Sequence, residues 1–204
     1  MSIILVRHGE TALNVARVLQ PADTPLSERG LAQAEAVAQR LGTLGVAAIV
    51  SSDLPRALRT AQAISAATGA AIETSPLLQE RNFGDLRGQA YDTLGFNALT
   101  MDDAPPGGES TAAFRQRVDA AFADAVARHA RIEGNLAFVT HGLVIREIVS
   151  RLVQLGEGVS APASIGNTSI TVVSGVAPHG VDLLDCTVHL DAGAKDNAGN
   201  LSGG

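Results

Sequence analysis

The sequence predicts an α/β fold, a three-layer α/β/α sandwich with a mostly parallel central sheet. Short apolar runs of strand length alternate with longer segments whose apolar residues recur at helical spacing. The strand-like runs are apolar throughout rather than at every second residue, which is typical of parallel strands covered on both faces. With 204 residues, the chain is long enough to form one such domain.

The strand and helix signals follow one another in a regular order along the chain. Ser27 suits the N-cap of a first long helix, and Pro55 and Gly69 suit the start and the end of a second one. We expect strands at residues 3–6, 47–51, 72–74, 136–140, 169–174 and 181–190, and helices at 27–44, 55–69, 110–131 and 144–155.

The chain shows neither an internal repeat nor a linker, so residues 1–191 are expected to form a single domain. Residues 82–109 are rich in Gly, Asp and Pro, and we expect a long, partly helical excursion there that covers the substrate. Residues 192–204 are polar and Gly-rich, which predicts a flexible C-terminal tail.

Composition argues against several classes of protein. The formal net charge of −6, without a long basic run, argues against nucleic acid as a partner. The sequence shows no secretion signal and no apolar run long enough for a membrane span, so a cytoplasmic protein without a membrane partner is expected. A single cysteine, Cys186, rules out an internal disulfide, and its apolar surroundings predict a packed strand thiol.

Polar clusters stand at the ends of three predicted strands, where ligands bind in sheets of this kind. They are Arg7-His8-Gly9, the segment Ser52 to Arg56, and His141-Gly142. The planar guanidinium group suits a phosphate dianion because it donates two hydrogen bonds in one plane. The alternatives are a surface Arg-His turn for the first cluster and a buried core histidine for the third.

The first cluster belongs to a longer motif that is familiar. Leu5-Val6-Arg7-His8-Gly9-Glu10-Thr11, followed by Asn14, resembles the signature of the histidine phosphatase superfamily, which includes the cofactor-dependent phosphoglycerate mutases. Further segments are similar to that family in the same order, namely Asp23–Gly30, Ser51–Ala57, Leu78–Gly88, Val139–Gly142, Asn167–Ser169 and Val188–Leu190. The resemblance implies a phosphoglycerate mutase-like fold.

The resemblance also implies a reaction in two steps. His8 attacks phosphorus and becomes phosphohistidine, and Glu80 serves as general acid in the first step and as general base in the second. The alternative for Glu80 is an ion pair with Arg81 or another arginine. Glu109 is the rival carboxylate, although a charge in the first turn of a helix is the simpler explanation of that residue.

The remaining residues of the implied site bind the phosphoryl oxygens. Arg7, Arg56 and His141 clamp the phosphoryl group, and Asn14 and backbone N–H groups near Gly142 add donors. The substrate is expected to be a small phosphorylated metabolite, with no metal and no other cofactor required. The sequence leaves the oligomeric state open.

Details of the motifs favour the phosphatase branch over the mutases. Leu13 precedes Asn14 where the mutases carry Trp, the chain is shorter than theirs, and Gln89-Ala90-Tyr91 departs from their continuation. The segment Pro105 to Ser110 resembles the phosphatases. A cofactor-dependent phosphoglycerate mutase is the alternative, and a binding protein without activity is a weaker one, since such relatives would lose the nucleophile or a clamp residue.

Several nearby residues receive a structural interpretation or none. Pro21 stiffens a loop in which family members often carry Gly, so substrate contacts there are not carried over. Ser110 is expected to cap a helix, and Arg59 is left unassigned. We expect His129 and His179 to be exposed and His189 to be structural.

Overall fold

The computed structural model describes residues 1–190 and contains one six-stranded sheet with helices on both of its faces. The strands are β1 (Ser2–Arg7), β2 (Val46–Ser51), β3 (Ile72–Thr74), β4 (Asn135–Thr140), β5 (Ile170–Ser174) and β6 (Val181–Cys186). The helices are α1 (Ala12–Val15), α2 (Glu28–Leu41), α3 (Pro55–Thr68), α4 (Thr111–His129) and α5 (Gly142–Arg151).

The sheet is mostly parallel, as the sequence predicts. Its strand order is β3-β2-β4-β1-β5-β6, and the pairs β2–β3, β2–β4 and β1–β4 are parallel. Strand β5 runs antiparallel to β1, and β6 runs antiparallel to β5. The carboxyl ends of β2, β4 and β1 therefore lie side by side at one edge of the sheet, where a ligand site is expected.

Alternate residues of the central strands enter two separate cores. Ile3 and Leu5 pack on the side of α4 and α5, while Ile4 and Val6 pack on the side of α2 and α3. All four side chains are at most 2% exposed. Each contributes about 1.5–3 kcal/mol by leaving water, so a strand buried on both faces stabilises both outer layers at once.

Several element bounds differ from the sequence prediction, since α5 spans Gly142–Arg151 rather than residues 144–155 and α2 ends at Leu41 rather than at residue 44. The short helix α1 was not predicted, and it forms because Thr11 and Asn14 make a reciprocal capping box. Strand β6 ends at Cys186 rather than at residue 190, after Asp185 takes a left-handed backbone conformation, and a turn follows in which Leu190 N–H donates to Thr187 O. Cys186 is thus a half-buried residue at a strand end, with its Sγ 3.4 Å from Arg40 Nη1.

The two histidines predicted to be exposed are not. His129 is only 6% exposed because its ring packs against the backbone of Gly175, where a Cβ would overlap it. His179 is half-buried, donates from Nδ1 to Ser174 O, and meets the ring of Phe122 edge to face at 5.3 Å. Both histidines are covered because the β5–β6 hairpin packs against this end of α4.

The excursion between β3 and α4 is tied to the segment that follows α1. Leu19 N–H donates to Gln89 O, Gly88 N–H donates to Leu19 O, and Tyr91 N–H donates to Arg17 O. Single 3₁₀ turns at 84–86 and 91–93 are its only regular structure in the range 82–109. The two segments are therefore joined to each other along their backbones.

The tail predicted for residues 192–204 lies outside the described residues. In residues 1–190, no helix combines the length and the apolar composition that crossing a membrane requires.

A close backbone contact joins the start of α2 to the loop after His8. Gly30 and Gly9 face each other so closely that a Cβ on Gly30 would overlap the Glu10 carbonyl oxygen. Ser27 N–H donates to that same carbonyl at 2.9 Å. Glycine is needed here because no side chain fits between the two backbones.

We expect Gly30→Ala to lower the free energy of unfolding by about 1–3 kcal/mol, since the added methyl forces the two backbones apart. Urea unfolding measures this change. Gly180→Ala is the matched control, because a Cβ at Gly180 meets no heavy atom within 4 Å. Its effect should stay within about 0.5 kcal/mol, and equal effects of the two replacements would contradict the role given to this contact.

Candidate active site

The polar clusters predicted from the sequence meet at the carboxyl edge of the sheet. His8 follows β1, Ser52 follows β2 and His141 follows β4, and these three strands are neighbours. The ring centroids of His8 and His141 are 5.1 Å apart, with an angle of 61° between the ring planes. The tertiary structure therefore brings together residues that are more than 130 positions apart in the chain.

The ring of His8 is fully buried and its orientation is set by a backbone contact. Its Nδ1 lies 2.7 Å from the carbonyl oxygen of Gly9. A carbonyl oxygen only accepts, so this contact places the proton of the neutral ring on Nδ1 and the lone pair on Nε2. A lone pair on Nε2 is what an in-line attack on phosphorus requires.

The backbone of His8 is held on both sides. Its N–H donates to Thr140 O at 3.0 Å. Its carbonyl accepts from Asn167 Nδ2 at 3.0 Å and from Thr168 N–H at 3.3 Å. These three contacts come from β4 and from the segment before β5, and they leave the backbone at His8 little freedom to move.

Two buried guanidinium groups flank the histidines. Arg7 is 1% exposed and Arg56 is 2% exposed, and Arg7 Nη1 donates to Ile165 O. Burial lowers the pKa of Arg56 to about 10, with Glu80 opposing the shift and Arg87 and Arg7 adding to it. Arg56 still carries its charge at neutral pH, so this edge of the sheet is locally cationic in an acidic protein.

His141 presents a hydrogen-bonding nitrogen to the same space. Its Nε2 lies 2.9 Å from Ser52 Oγ, which itself accepts from Leu54 N–H at 3.3 Å. Ser52 can therefore give its own proton to Nε2, which leaves the hydrogen of His141 on Nδ1. Within residues 1–190 that Nδ1 is buried and has no hydrogen-bond partner. Burial, followed by the charge of Arg56, holds the pKa of His141 well below its usual range, so the ring is neutral.

Glu80 is a buried carboxyl group with two backbone donors. Oε1 accepts from Arg81 N–H and Oε2 from Leu143 N–H, both at 3.0 Å. Burial raises the pKa of Glu80, although both hydrogen bonds and the charges of Arg56 and Arg7 oppose the shift. No ion pair in the described chain involves Glu80. The guanidinium of Arg81 turns away instead and donates to Met101 O at 2.8 Å.

Arg117 holds the segment that carries Glu80, and the sequence analysis missed it. Its Nη1 donates to Leu77 O at 2.9 Å and to Gln79 O at 2.6 Å. An arginine in the middle of a helix is usually a solvated side chain, so the sequence offers no signal for this role.

Arg117 also binds the Glu109 carboxylate, and this corrects the prediction made for Glu109. Glu109 lies before the helix rather than in its first turn, and it also accepts from Asn82 N–H at 2.8 Å. Ser110 is the N-cap of α4, since its hydroxyl accepts from Ala113 N–H, as predicted. Glu109 is therefore engaged in holding the Glu80 loop.

Two side-chain amides border the cationic space. Asn14 accepts from Thr11 N–H through Oδ1, and Gln20 accepts from the Thr11 hydroxyl through Oε1 at 2.8 Å. The Nδ2 of Asn14 and the Nε2 of Gln20 are both buried with no hydrogen-bond partner among residues 1–190. Gln20 was missed because Pro21 marked this loop as a departure from the family, yet Pro21 O lies 3.4 Å from Arg56 Nη1.

Arg59 lies outside this arrangement. Its side chain is exposed and borders a separate groove with Pro25, Leu26 and Leu31. Arg56 is buried and Arg59 is exposed, although only one helical turn of α3 separates them.

The chain belongs to the histidine phosphatase superfamily. Residues 3–183 match the model of its branch 1, which covers both central histidines, the two buried arginines and Glu80. The resemblance expected from the sequence motifs is thereby confirmed.

The similar proteins include one named as a probable mutase and one named as a phosphatase. A protein named as a probable phosphoglycerate mutase, GpmB, of Enterobacter sp. strain 638 is 34% identical over 96% of this chain and 98% of its own. A mycobacterial glucosyl-3-phosphoglycerate phosphatase in complex with VO₃ has a TM-score of 0.78 and 29% identity, with 91% of this chain and 99% of its own covered. A structure titled mycobacterial hydrolase 1 has a TM-score of 0.77 and 30% identity, covering 92% of this chain and 99% of its own.

The raised pKa of Glu80 predicts how the free energy of unfolding depends on pH. A carboxyl group whose pKa is higher in the folded than in the unfolded chain binds more protons when folded, so the stability it contributes is lost as pH rises. We expect wild-type protein to lose stability relative to Glu80→Gln as pH rises from about 4, the ordinary glutamate value, through the raised pKa. The difference in the free energy of unfolding between the two proteins should change by at most about 1.4 kcal/mol per pH unit.

Urea unfolding of both proteins at a series of pH values measures this difference. The same replacement at the exposed Glu157 controls for the loss of one carboxyl group. A difference between wild type and Glu80→Gln that stays constant with pH would show that burial does not raise the pKa of Glu80.

Proposed function

We propose that this protein hydrolyses phosphate monoesters through a phosphohistidine at His8. One observation carries the proposal: the buried ring of His8 has its Nδ1 held by Gly9 O and stands 5.1 Å from the ring of His141. Buried Arg7 and Arg56 lie close enough to act on the charge of His141. A tetrahedral dianion suits a space bordered by these donors.

In the first step, Nε2 of His8 attacks phosphorus and the bond from phosphorus to the ester oxygen breaks. Arg7, Arg56 and His141 donate to the three phosphoryl oxygens, on which the transition state spreads its charge. The leaving oxygen takes a proton from Glu80, whose burial raises its pKa toward a useful range. The products of this step are the alcohol, the ionised carboxylate and phosphohistidine.

In the second step, water replaces the alcohol. Glu80, now ionised, takes a proton from that water as its oxygen bonds to phosphorus, and the bond from phosphorus to Nε2 breaks. Inorganic phosphate leaves, His8 is again neutral and Glu80 is again protonated. The hydrogen bond from Nδ1 to Gly9 O supports both steps because it disperses the positive charge on the phosphorylated ring.

The same geometry would also serve a mutase, and two considerations favour hydrolysis. Leu13 stands where the mutases carry Trp, and the matched structures include a named phosphatase. Chain length does not separate the two activities here, since the relative named as a mutase is covered over 98% of its length. The expected substrate is a small phosphorylated metabolite.

We expect purified protein to hydrolyse p-nitrophenyl phosphate in the presence of EDTA, and His8→Ala to reduce kcat by more than about 10⁴-fold, because the nucleophile is lost. A phosphate-release assay measures both proteins. The control is His179→Ala, which removes an imidazole at the opposite edge of the sheet, where Ser174 pairs with Ser2.

The same protein should convert 3-phosphoglycerate to phosphate and glycerate rather than to 2-phosphoglycerate. Isomerisation stimulated by 2,3-bisphosphoglycerate would establish the mutase instead. Full activity of His8→Ala would refute the covalent mechanism, and no turnover of any monoester would favour a binding protein.

A second expectation concerns Glu80. Glu80→Gln should slow the hydrolysis of phosphate esters of simple alcohols by about 10²–10⁴-fold. It should slow the hydrolysis of p-nitrophenyl phosphate much less, since a phenolate leaves without a proton. The measurement is the slope of log kcat/KM against the pKa of the leaving group in a series of monoesters. Glu157→Gln should retain the wild-type slope, and an unchanged slope for Glu80→Gln would remove that residue from the role of general acid.

A further inference from the structure

Ser52 is a completely buried serine directly after β2, and the proposed reaction gives it no role. Its N–H donates to Val139 O at 2.9 Å, and Val139 lies in β4 two residues before His141. This contact between neighbouring strands holds the backbone of Ser52 beside the end of β4. The position of Ser52 therefore does not depend on its hydroxyl group.

The hydroxyl group of Ser52 makes two contacts of different kinds. Its Oγ accepts from Leu54 N–H at 3.3 Å, which uses a lone pair and no proton. Nε2 of His141 lies 2.9 Å from Oγ and is the acceptor that residues 1–190 place within reach of the hydroxyl proton. A buried hydroxyl proton without an acceptor is unfavourable, so Ser52 donates to Nε2.

This hydrogen bond decides which nitrogen of His141 carries the ring hydrogen. A neutral imidazole has one donor and one acceptor nitrogen, so Nδ1 is the donor when Nε2 accepts. His141 is the N-cap residue of α5, but its side chain makes no capping hydrogen bond. In the described part of the chain, Nδ1 is buried and has no partner. The ring thus keeps an unused donor beside His8.

The position of this hydrogen matters for a phosphoryl ligand, because the oxygens of a dianion accept hydrogen bonds and do not donate them. The other neutral tautomer of His141 would turn a lone pair toward such an oxygen and repel it. A second ring proton does not solve this at neutral pH, since burial and then the charge of Arg56 hold the pKa of His141 well below its usual range.

The preceding residue is a natural comparison for Ser52. Ser51 is also completely buried, but its hydroxyl donates to a backbone oxygen, Ser52 O, at 2.8 Å. Removing either hydroxyl group deletes one buried hydrogen bond at the end of β2. Only the removal of the Ser52 hydroxyl changes what the ring of His141 contacts.

We propose that Ser52 is a positioning residue, whose hydroxyl holds His141 in the tautomer that donates to a phosphoryl oxygen from Nδ1. Ser52 acts through His141 and does not itself touch the substrate. The effect on the rate rests on the proposed function, whereas the tautomer and the binding of phosphate are properties of the folded protein.

The tautomer is measured by ¹⁵N NMR of protein labelled in its histidines, where protonated and unprotonated ring nitrogens give separate signals. The signals of His141 are those that His141→Ala removes. Wild-type protein should carry the hydrogen on Nδ1, and Ser52→Thr, which retains a hydroxyl, should keep it there. Ser52→Ala should move at least part of it to Nε2. A hydrogen on Nε2 in wild-type protein overturns the proposal, whether or not the variants fold.

Binding of inorganic phosphate, measured by calorimetry, tests the consequence without any turnover. Ser52→Ala should weaken the affinity by about 10–100-fold, the range for a hydrogen bond to a charged group. Its kcat/KM for p-nitrophenyl phosphate should fall by a similar factor. Ser51→Ala is the matched control and should change both quantities by less than about twofold. Equal losses in the two variants would assign the effect to folding and overturn the proposal.

A double-mutant cycle separates an effect through the ring from a direct one. In a His141→Ala background, Ser52→Ala should change kcat/KM by less than about twofold, because there is no ring left to orient. The same loss in both backgrounds overturns the role of Ser52. If the tautomer and the phosphate affinity respond as expected but no ester is hydrolysed, the proposed function fails and the positioning role of Ser52 in phosphate binding stands.

Discussion

The arrangement depends on keeping two guanidinium charges buried at one edge of a sheet. Removing such a charge from water is expensive unless oxygen acceptors surround it. Arg7 has Ile165 O, and Arg56 has the carbonyls of Pro21 and Ala22 at 3.4 Å together with the attraction of Glu80. In the proposed reaction, the phosphoryl dianion of the substrate completes this compensation.

Burial shifts the pKa values of His141 and Glu80 in opposite directions. Burial, and after it the charges of the arginines, keeps His141 neutral, so it can add a hydrogen bond without adding a third positive charge. Burial pushes Glu80 toward its protonated form, while two backbone N–H groups favour the ionised form. A group balanced between both states is suited to give a proton in one step and take it back in the next.

The sequence predicts many of the strands, helix starts and strand-end residues, because these features depend on local sequence patterns. Apolar runs predicted the central strands, Ser27 and Pro55 marked the starts of α2 and α3, and motifs at strand ends predicted His8, Arg56 and His141. Parallel strands align their carboxyl ends, so the sequence also indicated that these residues converge. The errors fell where distant backbone decides burial, as at His129 beneath Gly175 and at the end of β6.

The sequence alone was enough for the fold class and the family, because hydrophobic period and motif spacing are local properties of the chain. Only the tertiary structure showed that Arg117 holds the Glu80 loop, that Gln20 borders the site, and that Ser52 contacts the ring of His141. These contacts join segments many residues apart. Their geometry depends on how loops pack over the sheet, and no periodicity in the sequence encodes that packing.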